Sequence, residues 1–497
     1  MTHPEHDKPA ADNVGPSIAL LASEVAPLCK TGGLADVAGA LTGCLHAAGH
    51  DVRLFTPLYG AIDRWRFAPQ PLEGLQRLAL QVGPHHYEFS VAKTPLPDSG
   101  APVYLIDCPV LYDRPALYTN DPDEHRRFLA FTRAALIACQ RLQWSPRILH
   151  CNDWHTAFGP LFLQTHFRAE PVFAQTRSVL TIHNIGYQGI FDAHAIADLG
   201  LGSRAHLLHQ DDLRAGRINP LRQGILYADA LTTVSPTHAQ EICTTQYGMG
   251  LQDSLRMRQD ALTGILNGVD YAVWDPRCDR YLPRHFDPQR LPVKTDLKRA
   301  FLERMGFQVP VTTALAGIVS RLAAQKGIEL MFEALPRVLS SRALALIVLG
   351  TGEALYERFF AELAGRFPGR VVFQPALDDE LAHWIEAACD LFLMPSRYEP
   401  CGLNQMYSLR YGTVPVVRRT GGLADSVEHY DPATGSGTGI VFNDFDPPGL
   451  EGALNTALDL YAEPAHWRRI MLNGMAKDFS WGKQAQKYVQ IYRRLAE

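Results

Sequence analysis

The sequence of 497 residues predicts an α/β protein with two domains, each built on a doubly wound parallel sheet and facing a deep cleft. Short apolar runs alternate with helical stretches in both halves, and a stretch rich in Pro, Arg and Asp separates the two series. The hexapeptide TGGLAD occurs once in each half, at residues 31–36 and 420–425. Each copy follows a predicted strand, at the sheet edge where ligands bind, although a tight Gly-Gly turn would explain either copy alone.

The predicted strands are short, apolar and partly β-branched, which is typical of strands buried on both faces. The first series lies at residues 17–23, 52–57, 103–107, 147–151, 178–184 and 230–235. The second series lies at residues 313–320, 343–350, 370–376, 390–396, 413–419 and 439–442. We therefore expect Rossmann-like domains at residues 17–271 and 313–479 and an interdomain connection at 272–312. Residues 1–16 read as a disordered tail, and 480–497 as a helix that crosses back to the first domain.

Composition limits the partners and the compartment. The net charge of −5 argues against broad binding of nucleic acid or anionic membranes, which requires a basic face. The nine cysteines include no CxxC pair, which argues against a zinc or dithiol site and favours a reduced, cytoplasmic protein. No apolar run approaches the roughly 20 residues that span a bilayer. We expect no nucleic-acid or membrane partner, and a homo-oligomer stays open.

The first TGGLAD copy is preceded by a lysine. Gly32 and Gly33 allow the backbone to approach a ligand closely, and the following helix offers N–H groups that suit a phosphate. Lys30 adds a positive charge that can reach a phosphate oxygen. A surface lysine beside a tight turn is the alternative.

The second half carries its charged candidates in loops that follow strands. Arg321 and Lys326 could converge on one diphosphate, or be solvated surface charges, and Gly352 lies in a glycine turn at the same edge. Glu399 could bind sugar hydroxyls or stabilise an oxocarbenium-like centre, or it could interact with the dipole of the following helix. Cys401 is placed where a thiol can be reactive, but packing is the favoured interpretation.

Polar residues also follow two strands of the first half. His150, Asp153, His155 and His183 invite a metal interpretation, but no pair has the HxxxH spacing of a zinc helix. Hydrogen bonding to a sugar is therefore the favoured role, and no metal is expected.

Together these segments resemble the bacterial glycogen synthase and plant starch synthase family, over residues 17–492. The resemblance rests on ordered motifs: SEVAPLCKTGGLADVAGAL, LYDRP, HCNDWHTA, TIHNIGYQG, ADALTTVSP, GILNGVD, SRLAAQKG, PSRYEPCGLNQMYSLRYGTVPVVRRTGGLADSV and FSW. It implies a fold of the glycosyltransferase-B type. It also implies transfer of glucose from ADP-glucose to the non-reducing end of an α-1,4-glucan such as glycogen, with retention, release of ADP and no cofactor.

The resemblance implies roles for individual residues. Arg321 and Lys326 match a diphosphate clamp, Glu399 matches an essential carboxylate, and His183 matches a histidine under the donor sugar. These four residues are the predicted catalytic group. The predicted substrate-binding residues are Lys30, Gly32, Gly33, Asp36, Tyr118, Asp153, Trp154, His155, Asn184, Asn267, Gly352, Cys401, Gly402, Leu403, Thr420, Gly421 and Gly422.

Three departures from the family and two alternatives accompany this assignment, and one departure is that the segment after LYDRP, which contains Tyr118, is short. Thr42 and Gly43 replace the usual Pro-Lys, which we interpret as a change on a helix surface, and residues 220–222 depart near the acceptor side. A transferase that uses UDP-glucose or forms an oligosaccharide is the first alternative. A catalytically silent glucan-binding protein is the second.

Overall fold

The computed structural model describes residues 15–497, so residues 1–14 of the predicted tail lie outside the described residues. The chain divides into two compact units. The first contains the residues up to Thr233 together with Ile242–Ile265 and Gln484–Glu497. The second contains Val234–Glu241 and Leu266–Lys483.

The first unit is built on a sheet that is mainly parallel. Its strands are β1 (Ile18–Leu21), β2 (Val52–Pro57), β3 (Gln70–Pro71), β4 (Leu78–Val82), β5 (His85–Pro95), β6 (Pro102–Asp107), β7 (Ile148–Asn152), β8 (Arg177–Ile182), β9 (Phe191–Asp192), β10 (Arg217–Ile218), β11 (Ala230–Thr233) and β12 (Leu262–Gly264). The main sheet has the order β12-β11-β8-β7-β1-β2-β6-β5-β3, with β4 beside β5, while β9 and β10 form a separate ribbon. The strands from β12 to β6 are parallel. Counted along the chain, these parallel strands follow the doubly wound order 3-2-1-4-5-6, extended by one strand.

The second unit has a wholly parallel sheet within the described residues. Its strands are β13 (Ala314–Val319), β14 (Leu344–Leu349), β15 (Val371–Gln374), β16 (Leu391–Met394), β17 (Val414–Arg418) and β18 (Ile440–Phe442). The order β15-β14-β13-β16-β17-β18 is again 3-2-1-4-5-6. Both faces of β14 are buried, because Leu346 and Val348 belong to one apolar cluster while Ala345 and Ile347 belong to another. The predicted pair of Rossmann-like domains is confirmed.

Helices connect these strands. They are α1 (Gly33–Ala47), α2 (Arg64–Phe67), α3 (Pro109–Tyr112), α4 (Glu124–Arg141), α5 (Asp153–Thr156), α6 (Gly159–Gln164), α7 (Gln210–Arg214), α8 (Pro220–Tyr227), α9 (Pro236–Glu241), α10 (Gln252–Met257), α11 (Pro292–Arg304), α12 (Ile328–Ser341), α13 (Ala354–Arg366), α14 (Asp379–Ala388), α15 (Asn404–Tyr411), α16 (Gly421–Ser426), α17 (Pro447–Tyr461), α18 (Pro464–Met475) and α19 (Trp481–Ala496). Short 3₁₀ helices lie at Pro171–Phe173, Ala193–Leu199, Gly202–Leu207, Gln259–Ala261 and Ala324–Lys326. Across residues 15–497, no helix is long and apolar enough to cross a bilayer.

Two segments differ from what the sequence suggested. Residues 272–312, expected as an interdomain connection, belong to the second unit, where Leu297 and Phe301 of α11 pack into its core. The interpretation of Thr42 and Gly43 as a change on a helix surface is wrong. Thr42 is fully buried, and a Cβ at Gly43 would lie 3.1 Å from Ser99. Small residues stand at these positions because the helix Gly33–Ala47 packs closely against the segment that contains Ser99.

Candidate functional site

In an open parallel sheet, ligands bind at the carboxyl edge where the strand order reverses. In the first unit this point lies between β1 and β7, which are parallel neighbours. The segment after β1 carries Glu24 and Lys30, and the segment after β7 begins with Asp153. The segment after β8, one strand further along, begins with His183. The fold therefore brings three predicted site residues, Lys30, Asp153 and His183, to one sheet edge together with Glu24.

A buried carboxylate holds the first glycine loop. Glu24 Oε2 accepts hydrogen bonds from the Thr31 backbone N–H at 2.5 Å, the Thr31 hydroxyl at 2.8 Å and the Gly32 N–H at 3.2 Å. Lys30 Nζ forms an exposed ion pair with Asp36 at 2.8 Å. The sequence reasoning missed Glu24, although a carboxylate directly after a buried strand was a signal in the SEV motif. The N–H groups of Thr31 and Gly32 are therefore already bonded, and the ammonium of Lys30 adds a positive charge beside this loop.

Asp153 connects the loops after β7 and β8. Its Oδ1 accepts hydrogen bonds from the backbone N–H groups of His183 at 2.7 Å and Asn184 at 3.4 Å. Burial raises the pKa of Asp153 to about 7, despite these hydrogen bonds. His183 Nε2 lies 2.8 Å from Asn152 Oδ1, and burial lowers the pKa of its imidazole to about 3. The imidazole is therefore neutral at physiological pH.

Aromatic rings line the same edge of the first unit. His155 stacks on Tyr118 with ring centroids 4.8 Å apart and contacts Trp154 at 4.2 Å. The Tyr118 hydroxyl lies 2.8 Å from Ser23 Oγ, directly after β1. Gly189 packs against Trp154 so closely that a Cβ would lie 2.1 Å from the indole. The structure thus brings Tyr118, Trp154 and His155 together in one wall of rings.

His150 lies apart from this arrangement. Its Nδ1 is 2.7 Å from the Tyr492 hydroxyl and its Nε2 is 2.6 Å from Thr181 Oγ1, so both ring nitrogens are engaged inside the unit. Burial lowers the pKa of His150 to about 3. Among residues 15–497, no group of three or more His, Cys, Asp or Glu side chains is arranged to hold a metal ion.

In the second unit the strand order reverses between β13 and β16. Lys326 follows β13, Glu399 follows β16, and their side chains form an ion pair with Nζ 2.7 Å from Oε2. The Ser396 hydroxyl donates a second hydrogen bond to the same oxygen at 3.0 Å. Glu399 is only 5% exposed, whereas Arg321, also after β13, is exposed. A buried carboxylate and two cations therefore follow the two strands that flank the reversal.

The second glycine loop packs directly against the Glu399 segment. Gly421 has φ of 43°, and a Cβ there would lie 2.0 Å from the carbonyl oxygen of Glu399. A Cβ at Gly422 would lie 2.1 Å from the carbonyl oxygen of Cys401. The Gly422 N–H donates to the Glu399 carbonyl at 3.0 Å. Only glycine fits at these two positions, and the loop fixes the backbone that carries the Glu399 carboxylate.

A second carboxylate holds this loop. Glu241 Oε1, from α9, accepts hydrogen bonds from the Thr420 hydroxyl at 2.9 Å and from the Gly421 N–H at 3.0 Å. Thr237, on the same helix, donates from its N–H and its hydroxyl to the Asp425 carboxylate at 2.8 and 2.7 Å. No sequence pattern pointed to Glu241, because it lies far from the loop along the chain.

Most of the remaining predicted residues of the second unit lie close to Glu399 along the chain or contact the segment that carries it. Burial raises the pKa of the Cys401 thiol to about 12, so the thiol stays protonated at neutral pH, as a packing residue does. Asn267 is buried, and its side-chain oxygen accepts no hydrogen bond from the described residues. Gly402 has φ of 69° and Leu403 precedes α15. Gly352 follows β14 and pairs with Leu322, the residue after Arg321, and a Cβ there would lie 2.1 Å from the Leu322 carbonyl oxygen.

Comparison with known proteins identifies the family of this chain. A family model described as the starch synthase catalytic domain matches residues 17–257, and one described as glycosyl transferases group 1 matches residues 303–471. The glycogen synthase of Anaeromyxobacter dehalogenans (strain 2CP-C) is 44% identical over 484 residues, which cover 96% of this chain and 99% of the relative. The glycogen synthase of Thermotoga maritima is 40% identical over 481 residues, which cover 96% of this chain and 98% of the relative.

A solved structure extends the likeness to the fold. The catalytic domain of starch synthase IV from Arabidopsis thaliana, bound to ADP and acarbose, matches with a TM-score of 0.89 and 33% identity. The match covers 97% of this chain and 99% of that chain. The chain therefore belongs to the glycogen synthase and starch synthase family of hexosyltransferases, which has the glycosyltransferase-B fold.

Proposed function

We propose that this chain transfers glucose from ADP-glucose to the non-reducing end of an α-1,4-glucan, with retention of the anomeric configuration and release of ADP. The observation that carries the proposal is the Lys326–Glu399 ion pair after β13 and β16, packed against the Thr420–Gly422 loop. The relatives named glycogen synthase and the starch synthase IV domain bound to ADP support the class of donor and acceptor.

The second unit takes the nucleotide donor in this proposal. A leaving ADP gains negative charge as the glycosidic bond breaks, and a chain of net charge −5 must meet it with local cations. Arg321 is exposed and the Lys326 side chain is 21% exposed, so both can reach a diphosphate. Each such electrostatic group is typically worth about 10²–10³ in rate. We propose that these two side chains supply the positive charge without a metal ion.

The carboxylate of Glu399 acts on the sugar. When Lys326 turns toward a phosphate, Glu399 loses one partner and keeps the hydrogen bond from Ser396. Without the lysine, the carboxylate can accept a hydrogen bond from a sugar hydroxyl or stabilise positive charge that develops at the anomeric carbon. A covalent retaining glycosidase uses a second carboxylate about 5 Å from the first. We propose instead a same-face mechanism, in which acceptor attack and ADP departure share one face of the sugar.

The first unit takes the acceptor. The half-buried rings of Tyr118 and Trp154, which pack against the buried ring of His155, combine apolar faces with polar edges, which suit a glucose unit. Asp153 holds the backbone of His183 and Asn184, so the neutral imidazole of His183 keeps a fixed position. Lys30 provides an exposed cation at this edge.

A donor panel tests the proposal. Purified chain, glycogen and either ADP-glucose or UDP-glucose are incubated, and nucleotide release is measured together with the lengths of the glucan chains. ADP-glucose should give the higher kcat/KM, with longer chains as product, and activity should survive excess EDTA. Faster use of UDP-glucose would assign the other donor, and short free products would indicate an oligosaccharide-forming enzyme. Glycogen binding without nucleotide release from any donor would refute the transferase assignment.

A further inference from the structure

Trp65 projects into solvent from the first unit. Its side chain is 97% exposed, whereas tryptophan is on average one of the more buried residue types. It lies on α2, which follows β2, and the exposed Val110 lies on α3, which follows the neighbouring parallel strand β6. An ion pair between Arg64 and Asp107, at 3.8 Å, connects the two segments. We call Arg64, Trp65, Arg66 and Val110 the indole surface.

The backbone beneath Trp65 is firmly held. The Asp63 carboxylate accepts hydrogen bonds from the N–H groups of Trp65 at 3.0 Å and Arg66 at 2.9 Å. Phe67, two residues later, is buried and anchors the short helix in the core. Ala68, at φ of 42°, ends the helix. The helix therefore holds the backbone of Trp65 in a fixed place, and the exposure of the indole does not come from a loose chain end.

The loops that carry the two segments are also joined. The Leu58 N–H donates to the Ile106 carbonyl at 2.9 Å, and the Gly60 N–H donates to the Tyr112 carbonyl at 3.1 Å. Both loops leave the carboxyl edge of the sheet, the edge that carries Lys30 and Asp153. Strand β2 is the direct neighbour of β1, about 5 Å away. The indole surface thus continues from the edge that the acceptor occupies in the proposed function.

The chemistry of this surface fits a sugar polymer. An indole is a large, flat apolar group that can cover one face of a pyranose ring, and tryptophan contributes about 150–250 Å² of contact area when it is covered. The Arg64 guanidinium pairs with Asp107 and the Arg66 guanidinium lies over the ring of Phe67, so the indole itself provides the face on which a sugar ring would stack. A nucleic-acid base could also stack on an indole, but the net charge of −5 opposes a polyanion.

We propose that the indole surface is a binding site for α-glucan chains outside the reacting centre, with Trp65 as the stacking platform; this rests on the proposed function for the identity of the glucan. Such a site holds the polymer near the enzyme. It contributes to the affinity for glycogen and not to the chemical step.

The test compares Trp65→Ala with Trp65→Tyr, which keeps an aromatic face, and with Leu377→Ala. Leu377 is 86% exposed in the second unit and serves as the matched control. Glycogen affinity is measured by co-sedimentation, and KM and kcat are measured with glycogen and with maltotriose. Trp65→Ala should weaken glycogen binding and raise the glycogen KM by about three- to tenfold, the size of one lost contact. Its kcat, its maltotriose kinetics and its thermal unfolding midpoint should stay at wild-type values.

Several outcomes would overturn the proposal. Trp65→Ala with wild-type glycogen affinity and KM would remove the site while leaving the transferase assignment intact. If the wild type bound single-stranded DNA but not glycogen, and Trp65→Ala lost the DNA binding, the indole would be assigned to nucleic acid. Conversely, glycogen binding that depends on Trp65 in a chain that releases no nucleotide would support the surface and refute the proposed function.

Discussion

Replacing Asp153 by Asn removes a buried negative charge from the first unit while keeping its shape. Asp153 is 7% exposed, and its oxygen accepts hydrogen bonds from the backbone of His183 and Asn184. An Asn oxygen can accept the same bonds. The residue has φ of 53°, and Asn adopts this left-handed region more readily than most side chains. The substitution therefore changes the charge and little else.

The expected effect on stability follows from the pKa. Burial raises the pKa of Asp153 from 3.8 to about 7, and each unit of difference between the folded and unfolded chain is worth about 1.36 kcal/mol. The folded chain holds the proton more tightly, so the free energy of unfolding falls as pH rises from about 4 to about 7. Above pH 7 the buried charge lowers the free energy of unfolding by its full amount, which is at most about 4 kcal/mol. Asp153→Asn should be more stable than the wild type at pH 8 and equal to it near pH 4.

Histidines act in the opposite direction. Burial lowers the pKa values of His150, His155 and His183 to about 3, so these groups make the folded chain more stable as pH rises from about 3 to 6.5. They are present in both proteins, so the difference between variant and wild type isolates Asp153. Urea unfolding midpoints at pH 5, 6, 7 and 8 provide the measurement, and Asp211→Asn, at an exposed position, is the control. A difference that does not change with pH, or a wild type more stable at pH 8, would refute the reasoning.

Three further predictions concern the second unit. Glu399→Gln should lower kcat about 10²–10³-fold in the nucleotide-release assay, because a neutral amide cannot stabilise developing positive charge. Lys326→Ala should raise the KM for ADP-glucose far more than the KM for glycogen, because in the proposed function the ammonium binds the diphosphate; equal changes in both constants would contradict that role. Gly422→Ala should lower the thermal unfolding midpoint by several degrees and abolish turnover, because its Cβ would lie 2.1 Å from the Cys401 carbonyl oxygen.

The second unit also offers matched controls. Lys477 and Glu428 form an ion pair with the same 2.7 Å separation, and both side chains are well exposed. Lys477→Ala and Glu428→Gln should therefore leave kcat and both KM values unchanged. Gly365, within α13, has open space where a Cβ would lie, with no neighbouring atom within 4 Å, so Gly365→Ala should keep or slightly raise the unfolding midpoint. Losses in these variants equal to those at the site would show that the effects are not local.

The sequence predicted the parallel strands well because they are buried on both faces. The apolar runs that form β1, β7 and β14 can be recognised in the sequence without knowing which strands they pair with. The antiparallel edge formed by β3, β4 and β5 was missed. Strand β5 alternates between exposed and buried residues and contains charged side chains, so no continuous apolar run marks it. An edge strand with one solvent-exposed face has a weaker hydrophobic pattern than a strand that is buried on both faces.

The candidate site was predictable where one segment contains the whole signal. The glycine loops and Glu399 could be found because backbone turns and a carboxylate in a loop are local features. Glu241 could not, because its contact with Thr420 joins residues 179 positions apart. The pairing of Glu399 with Lys326 spans 73 positions and became visible only when β13 and β16 lay side by side. Strand order, rather than local pattern, creates these contacts.

The two TGGLAD copies are alike in a way that their sequences do not reveal. In each unit one carboxylate oxygen accepts two hydrogen bonds, one from the threonine hydroxyl and one from the N–H of the next glycine. The carboxylate belongs to Glu24 in the first copy and to Glu241 in the second. Glu24 stands seven residues before its threonine, whereas Glu241 comes from a helix far away in the chain. The same hydrogen bonds are thus made by unrelated segments. Because the carboxylates already accept these hydrogen bonds, each loop is held by a glutamate of its own unit, and in the proposed function Lys30, Arg321 and Lys326 supply the charges that meet a phosphate.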